Sequence, residues 1–181
     1  MTFEEKQIVL KNGKTAILRS PCAEDAQGML DYITKACGET DFLARYPEEW
    51  DSDVEKEEAW INSIRSSPNA LAIVCCIDGE IAGNCEINFK YGIKMEHRAS
   101  IAIALTRDYW NLGIGSAMFE ELISAAKEKG TEIMELEFIE GNERALHLYE
   151  KFGFRVVCEI PNAIKLKDGT YLKQIYMQKY L

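Results

Sequence analysis

Apolar and polar positions recur with two different periods along this chain, and the switches between them divide it into strands and helices. The stretch QIVLKNGKTAILRS reads as a hairpin in which Asn12-Gly13 supplies the positive φ angles of a tight turn. From about Ala23 to Cys37 the spacing becomes helical, with Ala26, Met29, Leu30 and Ile33 on one face. An acidic connector, GETDFLARYPEEWD, leads to a second helix. Its start is expected at Ser52, because Ser52 and Glu55 form a capping box ahead of the stripe Val54, Ile61 and Ile64; Pro68 closes it. A second hairpin, ALAIVCCIDGEIAGNCEINF, turns at Asp78-Gly79, and ASIAIALT is a further strand.

Next comes RDYWNLGIGSAMFEELISAAKEKG, in which two glycines stand directly before a helical pattern. EIMELEFI then reads as a strand and NERALHLYEKFGF as a short helix ending at Gly153. FRVVCEIP and TYLKQIYMQKYL are two closing strands about a turn at Asp168-Gly169. This order predicts one α+β domain over residues 1–181, with a mostly antiparallel sheet and a single strand-helix-strand crossover at its centre. A chain of 181 residues can bury a core without staples. The six cysteines are scattered with no C-x-x-C pair, so most of them read as reduced core residues and no metal is expected.

Charge narrows the partners. A net charge of −9 argues against a general nucleic-acid binder, whose affinity comes chiefly from Lys and Arg, and favours cationic partners. MTFEEKQIVL lacks the basic start and long apolar core of a signal peptide, and no apolar run approaches the roughly 18 residues of a membrane span. A cytoplasmic protein with no membrane partner is expected.

The two glycines, Gly113 and Gly115, have two readings. They tighten a strand-to-helix turn, or they open an anion cradle. At a helix start the first N–H groups lack partners within the helix and the peptide dipoles favour negative charge, so four amides from Gly113 to Ser116 suit one pyrophosphate. Other phosphate loops fit poorly. A dinucleotide fingerprint needs a third glycine where Met118 stands, and a Walker loop needs Gly-Lys followed by Ser or Thr. In EGNERALHLYEKFGF the apolar stripe Ala145, Leu148, Tyr149 and Phe152 marks a core-packing helix. The same segment places Asn142 at a helix start, Tyr149 seven residues on, and Gly153-Phe154 at its close.

Together, YWNLGIG and NERALHLYEKFGF resemble the GCN5-related N-acetyltransferase (GNAT) superfamily, and the order of elements from Ile8 to Leu181 resembles its fold. The resemblance implies a three-layer α/β/α arrangement about a mixed, splayed central sheet. Acetyl-CoA would lie in a gap between SIAIALT and EIMELEFI. Leu105 and Arg107 would contact it through backbone atoms, Gly113, Ile114, Gly115 and Ser116 would hold the pyrophosphate, and Asn142 and Tyr149 would complete the cofactor site. One departure stands out: the family's usual Gln or Arg three residues before the first glycine is Trp110 here. That substitution resembles the branch of ribosomal-protein and polyamine acetyltransferases.

The implied activity is acetyl transfer from acetyl-CoA to a primary amine, a protein N-terminal α-amine or a small amine, by direct attack in a ternary complex. A backbone N–H near Ala104 or Leu105 would polarise the carbonyl, and Tyr149 would donate to the leaving thiolate. Glu86 is the candidate base, with Glu96 and His97 as alternatives. The acidic connector, with Glu39, Asp41 and Glu48 beside Tyr46 and Trp50, is expected either to be a solvated face or to steer a cationic acceptor. A homodimer is compatible with these features. The competing reading is a noncatalytic acyl-CoA sensor, against which Tyr149 speaks.

Overall fold

The N-terminal hairpin forms where its pattern requires, with β1 (Lys6–Val9) antiparallel to β2 (Thr15–Arg19). The structure, a computed structural model, describes residues 1–50 and 52–181. Asn12 acts differently from expectation. Only Gly13 has a positive φ, 82°, while the Asn12 side chain accepts the Lys14 N–H at 3.0 Å and closes the turn itself. At Asp78-Gly79 both φ angles are positive, 52° and 89°, as a two-residue hairpin turn demands.

Helix α1 (Ala26–Glu39) buries Ala26, Met29 and Leu30 as the spacing indicates, and adds Tyr32, Ala36 and Cys37. The Tyr32 hydroxyl donates to Asn84 Oδ1, fastening α1 to the sheet. The second helix begins later than Ser52. In α2 (Val54–Ser66) the cap is Asp53, whose carboxylate accepts the Lys56 N–H at 2.8 Å. An ionised cap also meets the positive end of the helix dipole, which favours Asp53 over its neutral neighbour.

The sheet continues with β3 (Ala70–Ile77), β4 (Glu80–Phe89) and β5 (Arg98–Leu105). Helix α3 (Ile114–Glu128) crosses to β6 (Ile133–Ile139), and α4 (Glu143–Lys151) leads to the hairpin β7 (Arg155–Lys165) and β8 (Tyr171–Tyr180). Strand β7 extends past Pro161, because an irregularity between Ile160 and Ile164, with Asn162 at φ 56°, lets pairing resume. The order is β1-β2-β3-β4-β5-β6-β8-β7, with β5–β6 as the parallel pair. Alternate side chains feed two cores. Leu18, Ile73 and Ile87 pack under Met118, Phe119 and Leu122 of α3. Val74 packs on the other face, under Met29, Tyr32 and Ile61 of α1 and α2. The result is the expected three-layer α+β fold. No helix among the described residues is long and apolar enough to cross a membrane.

What positions the site is a parting of strands. β5 and β6 pair only where Arg98–Ser100 meet Ile133–Glu135. Beyond that point β5 stays with β4 as far as Leu105, while β6 stays with β8 as far as Ile139. Gly83 lets β4 hold the far end of β5 closely: a Cβ there would lie 2.3 Å from the Ala104 carbonyl oxygen and 2.9 Å from Leu105 Cα. Backbone atoms cannot rotate aside. Gly83→Ala is therefore expected to cost about 1–3 kcal/mol and to lower the melting temperature by roughly 3–10 °C. Unchanged melting by calorimetry would refute this close contact.

Candidate active site

Gly113 ends the β5–α3 loop at φ 98° and ψ −5°, a left-handed conformation that side chains resist. As the N-cap of α3 it brings no side chain to accept the exposed amides. The starts of α2 and α4 contrast with it, being capped by Asp53 and by Asn142, whose Oδ1 accepts the Ala145 N–H at 3.3 Å. The amides of Gly113, Ile114, Gly115 and Ser116 thus have no protein partner among the described residues. They border a cavity of about 630 Å³, also lined by Ile103, Ala104, Leu105, Trp110, Asn142 and Tyr149.

Three cations ring this cavity: Lys11 from the β1–β2 turn, and Arg144 and Lys151 from α4. The Lys11 N–H donates to the Leu112 carbonyl at 3.0 Å, so the N-terminal hairpin is docked on the glycine loop. Lys151 Nζ donates to Ser116 Oγ at 2.9 Å. None of the three makes an ion pair among the described residues, although the chain carries a net charge of −9. Sequence reasoning missed all three. On α4 the signal was present, as Arg144, His147 and Lys151 form a basic stripe complementary to the apolar one; Lys11 looked like any turn residue.

The strand before the loop separates two of the expected cofactor contacts. Thr106 donates its N–H to Ala82 on β4 at 3.1 Å. Because N–H directions alternate along a strand, the Leu105 N–H points the other way, into the splay. This selects Leu105 over Ala104 as the inward donor, and the Leu105 carbonyl accepts the Trp110 indole N–H at 2.8 Å. Arg107 requires a correction. It does not line the cavity, since its N–H donates to the Glu39 carboxylate at 2.6 Å and its carbonyl accepts the Trp110 N–H at 3.1 Å. Both bonds fix the loop, and the N–H is engaged by Glu39.

A second cavity, of about 840 Å³, has Glu86, Asn88, Ser100 and Glu137 among its polar walls, with Phe42, Leu43 and Ala44 of the α1–α2 connector also bordering it. Phe42, Leu43, Ile103, Asn142 and Tyr149 line both cavities. Tyr149 is 7% exposed, with its ring 5.5 Å from Phe119 and 5.6 Å from Phe138. Its hydroxyl has no hydrogen-bond partner among the described residues, and burial pushes the phenol pKa up to about 12. Burial likewise raises the Glu86 carboxyl, opposed by the Asn88 amide, which donates to it at 3.3 Å.

The remaining candidates lie elsewhere. Glu96 and His97 precede β5 at its opposite end, roughly 25 Å of strand from Leu105, beside Asn69 and Lys129. The carboxylates of Glu39, Asp41 and Glu48 do not line the second cavity. Glu39 holds Arg107, and Glu48 pairs with Lys167, whose N–H donates to the Tyr46 hydroxyl at 3.2 Å. Trp50 lies under the Arg45 guanidinium, 5.0 Å away. Glu39 and Glu48 tie the connector to the β5–α3 loop and to the β7–β8 turn, while Phe42, Leu43 and Ala44 border the cavity.

Residues 38–154 match the acetyltransferase (GNAT) family, and the chain belongs to it. It is 25% identical over 124 residues to the L-amino acid N-acetyltransferase AaaT of Escherichia coli, covering 68% of this chain and 76% of that one. It is 32% identical over 114 residues to an N-alpha-acetyltransferase of Sulfurisphaera tokodaii, covering 57% of this chain and 67% of that one. Among solved structures, a GNAT-family acetyltransferase from Streptococcus pneumoniae superposes with a TM-score of 0.85 at 26% identity, over 92% of this chain and 99% of that one. The yncA acetyltransferase of Salmonella typhimurium, solved with acetyl-CoA, shares the fold with a TM-score of 0.78 at 18% identity, over 91% and 92%. The fold, the N-acetyltransferase class and the acetyl-CoA cosubstrate implied by the two motifs are those of this family.

A test of the cradle follows from Gly115, where a Cβ would come within 3.1 Å of the Leu148 side chain. Gly115→Asp adds bulk and negative charge beside the open amides. It is expected to weaken acetyl-CoA binding by about 2 kcal/mol or more, roughly 30-fold, in a titration calorimeter. Wild-type affinity in a folded variant would reject the cradle.

Proposed function

We propose that the protein acetylates an α-amine, that of a protein N-terminus or of a small amino-acid-like molecule, by direct attack in a ternary complex within the cytoplasm. The observation that carries this reading is the pair of cavities sharing Tyr149 where β5 and β6 part. One cavity suits a polyanionic donor. The other, bordered by a carboxylate floor and an apolar connector, suits an uncharged or cationic amine. The names of the relatives, which include an L-amino acid N-acetyltransferase and an N-alpha-acetyltransferase, favour the same acceptor class.

Bound acetyl-CoA supplies the thioester. The amides of Gly113–Ser116 and the surrounding cations hold the diphosphate, and the β6-facing N–H and carbonyl of Ile103, beyond the last pairing of β5 with β6, are available to the amides of the cofactor arm. The Leu105 N–H is aimed where negative charge develops on the carbonyl oxygen, the kind of preorganised donor worth several kcal/mol. Tyr149, kept protonated by its raised pKa, donates to the departing sulfur. Glu86, raised toward neutrality by burial, takes the amine proton directly or through water. Magnitudes select the acceptor. Deprotonating a lysine amine at pH 7 costs about 4.6 kcal/mol against about 1 for an α-amine, and a single carboxyl base is matched to the smaller demand.

Purified enzyme with acetyl-CoA and a panel of free amino acids, peptides and polyamines, assayed for released thiol, is expected to turn over α-amines preferentially. Preference for polyamines or lysine side chains would contradict the proposal. Tyr149→Phe should reduce kcat by about 10²-fold with acetyl-CoA affinity retained. Glu86→Gln should remove the acid limb of the kcat/KM profile, a limb lying above pH 4.5 because the carboxyl is raised. An unaltered profile would exclude Glu86 as the base.

A further inference from the structure

The Trp110 position lacks the side-chain donor that the motif usually carries, yet the ring is held with care. Its indole N–H is bonded to the Leu105 carbonyl, and its face carries the Arg144 guanidinium, 3.7 Å from the ring centroid. Arg107 approaches the same ring at 5.5 Å but is bound to the Glu39 main chain. Arg144 has no carboxylate partner among the described residues, and both it and Trp110 line the cavity that contains Gly113 to Ser116. An exposed arginine ordinarily samples many rotamers; stacking on a fixed aromatic face limits them and leaves the N–H edge of the guanidinium free to donate.

We propose that Trp110 is a positioning residue that stands Arg144 over the amide cradle, so that Arg144 supplies the cationic side-chain contact to the diphosphate of the acyl donor. The position that elsewhere donates to the phosphate directly does so here through a second residue, carried on α4. This rests on the cradle proposed for acetyl-CoA and specifies how its one altered motif position works. A planar, doubly donating guanidinium suits phosphate oxygens better than an ammonium does.

The test is a set of acetyl-CoA dissociation constants by calorimetry for Trp110→Ala, Trp110→Phe, Arg144→Ala, Arg144→Lys and the Trp110→Ala/Arg144→Ala double variant, with kcat at saturating donor. Arg144→Ala is expected to weaken binding about tenfold or more, as loss of a charge-assisted contact does. Trp110→Ala should weaken it by several-fold, and the double variant by no more than Arg144→Ala alone. Trp110→Phe keeps a stacking face but loses the indole N–H that fixes it, and should fall between wild type and Trp110→Ala; Arg144→Lys should recover only part of the loss. KM for the donor should rise with kcat unchanged, and dephospho-CoA should show the same losses as CoA. Multiplicative effects in the double variant, a Trp110→Phe defect equal to that of Trp110→Ala, or losses confined to 3′-phosphorylated CoA would overturn the proposal. Unchanged binding in the Trp110 and Arg144 variants, with Gly115→Asp still defective, would overturn it and leave the cradle standing. Failure of the wild-type protein to bind acetyl-CoA would remove both.

Discussion

Four backbone N–H groups at the start of α3 are satisfied by nothing in the protein, and the cleft is arranged around that deficit. Asp53 and Asn142 cap α2 and α4 with their side chains, whereas at α3 the cap position is Gly113, held at a backbone angle of 98° that suits glycine. Bonds to an ionised acceptor are worth about 1.5–3 kcal/mol each, so under the proposed function three or four of them would anchor a diphosphate before any side chain contributes. Lys11, Arg144 and Lys151 would then offset the repulsion that an acidic protein otherwise presents to a polyanion.

The parting of β5 from β6 opens a gap beside those amides. An unpaired strand edge is ordinarily a liability, and this one lies inside the molecule, between two cavities, where an extended ligand can pair with it. Tyr149 is set at the junction by three neighbouring aromatic rings, Phe119, Phe138 and Phe154, so its position follows from core packing and its open hydroxyl from the gap. The charges of Glu39 and Glu48 fasten the α1–α2 connector in place and leave Phe42 and Leu43 to shape the passage.

Most of the fold was legible because period and turn chemistry agree: each helix face and each hairpin turn carries its own local signature. The misplaced start of α2 shows where that breaks down, since Ser52 and Asp53 are both good caps and only the folded geometry chooses. Gly113–Ser116, Asn142 and Tyr149, which line one cavity, could be joined from the sequence because they are close along the chain or belong to one helix. The splay was expected from the family resemblance alone, because nothing local records where two parallel strands cease to pair. Lys11 and Phe42 reach the cleft from segments far from the glycine loop in the chain. Arg107 was misassigned for the same reason: its N–H is taken by Glu39, 68 residues away.

The account stands or falls on where the diphosphate sits. A crystal structure of the complex with acetyl-CoA measures it directly: the account predicts phosphate oxygens within hydrogen-bond distance, about 2.7–3.2 Å, of the main-chain nitrogens of Gly113 to Ser116, with the acyl arm running between β5 and β6 toward Tyr149. Phosphates bound elsewhere, or an arm that bypasses the parted strands, would contradict it.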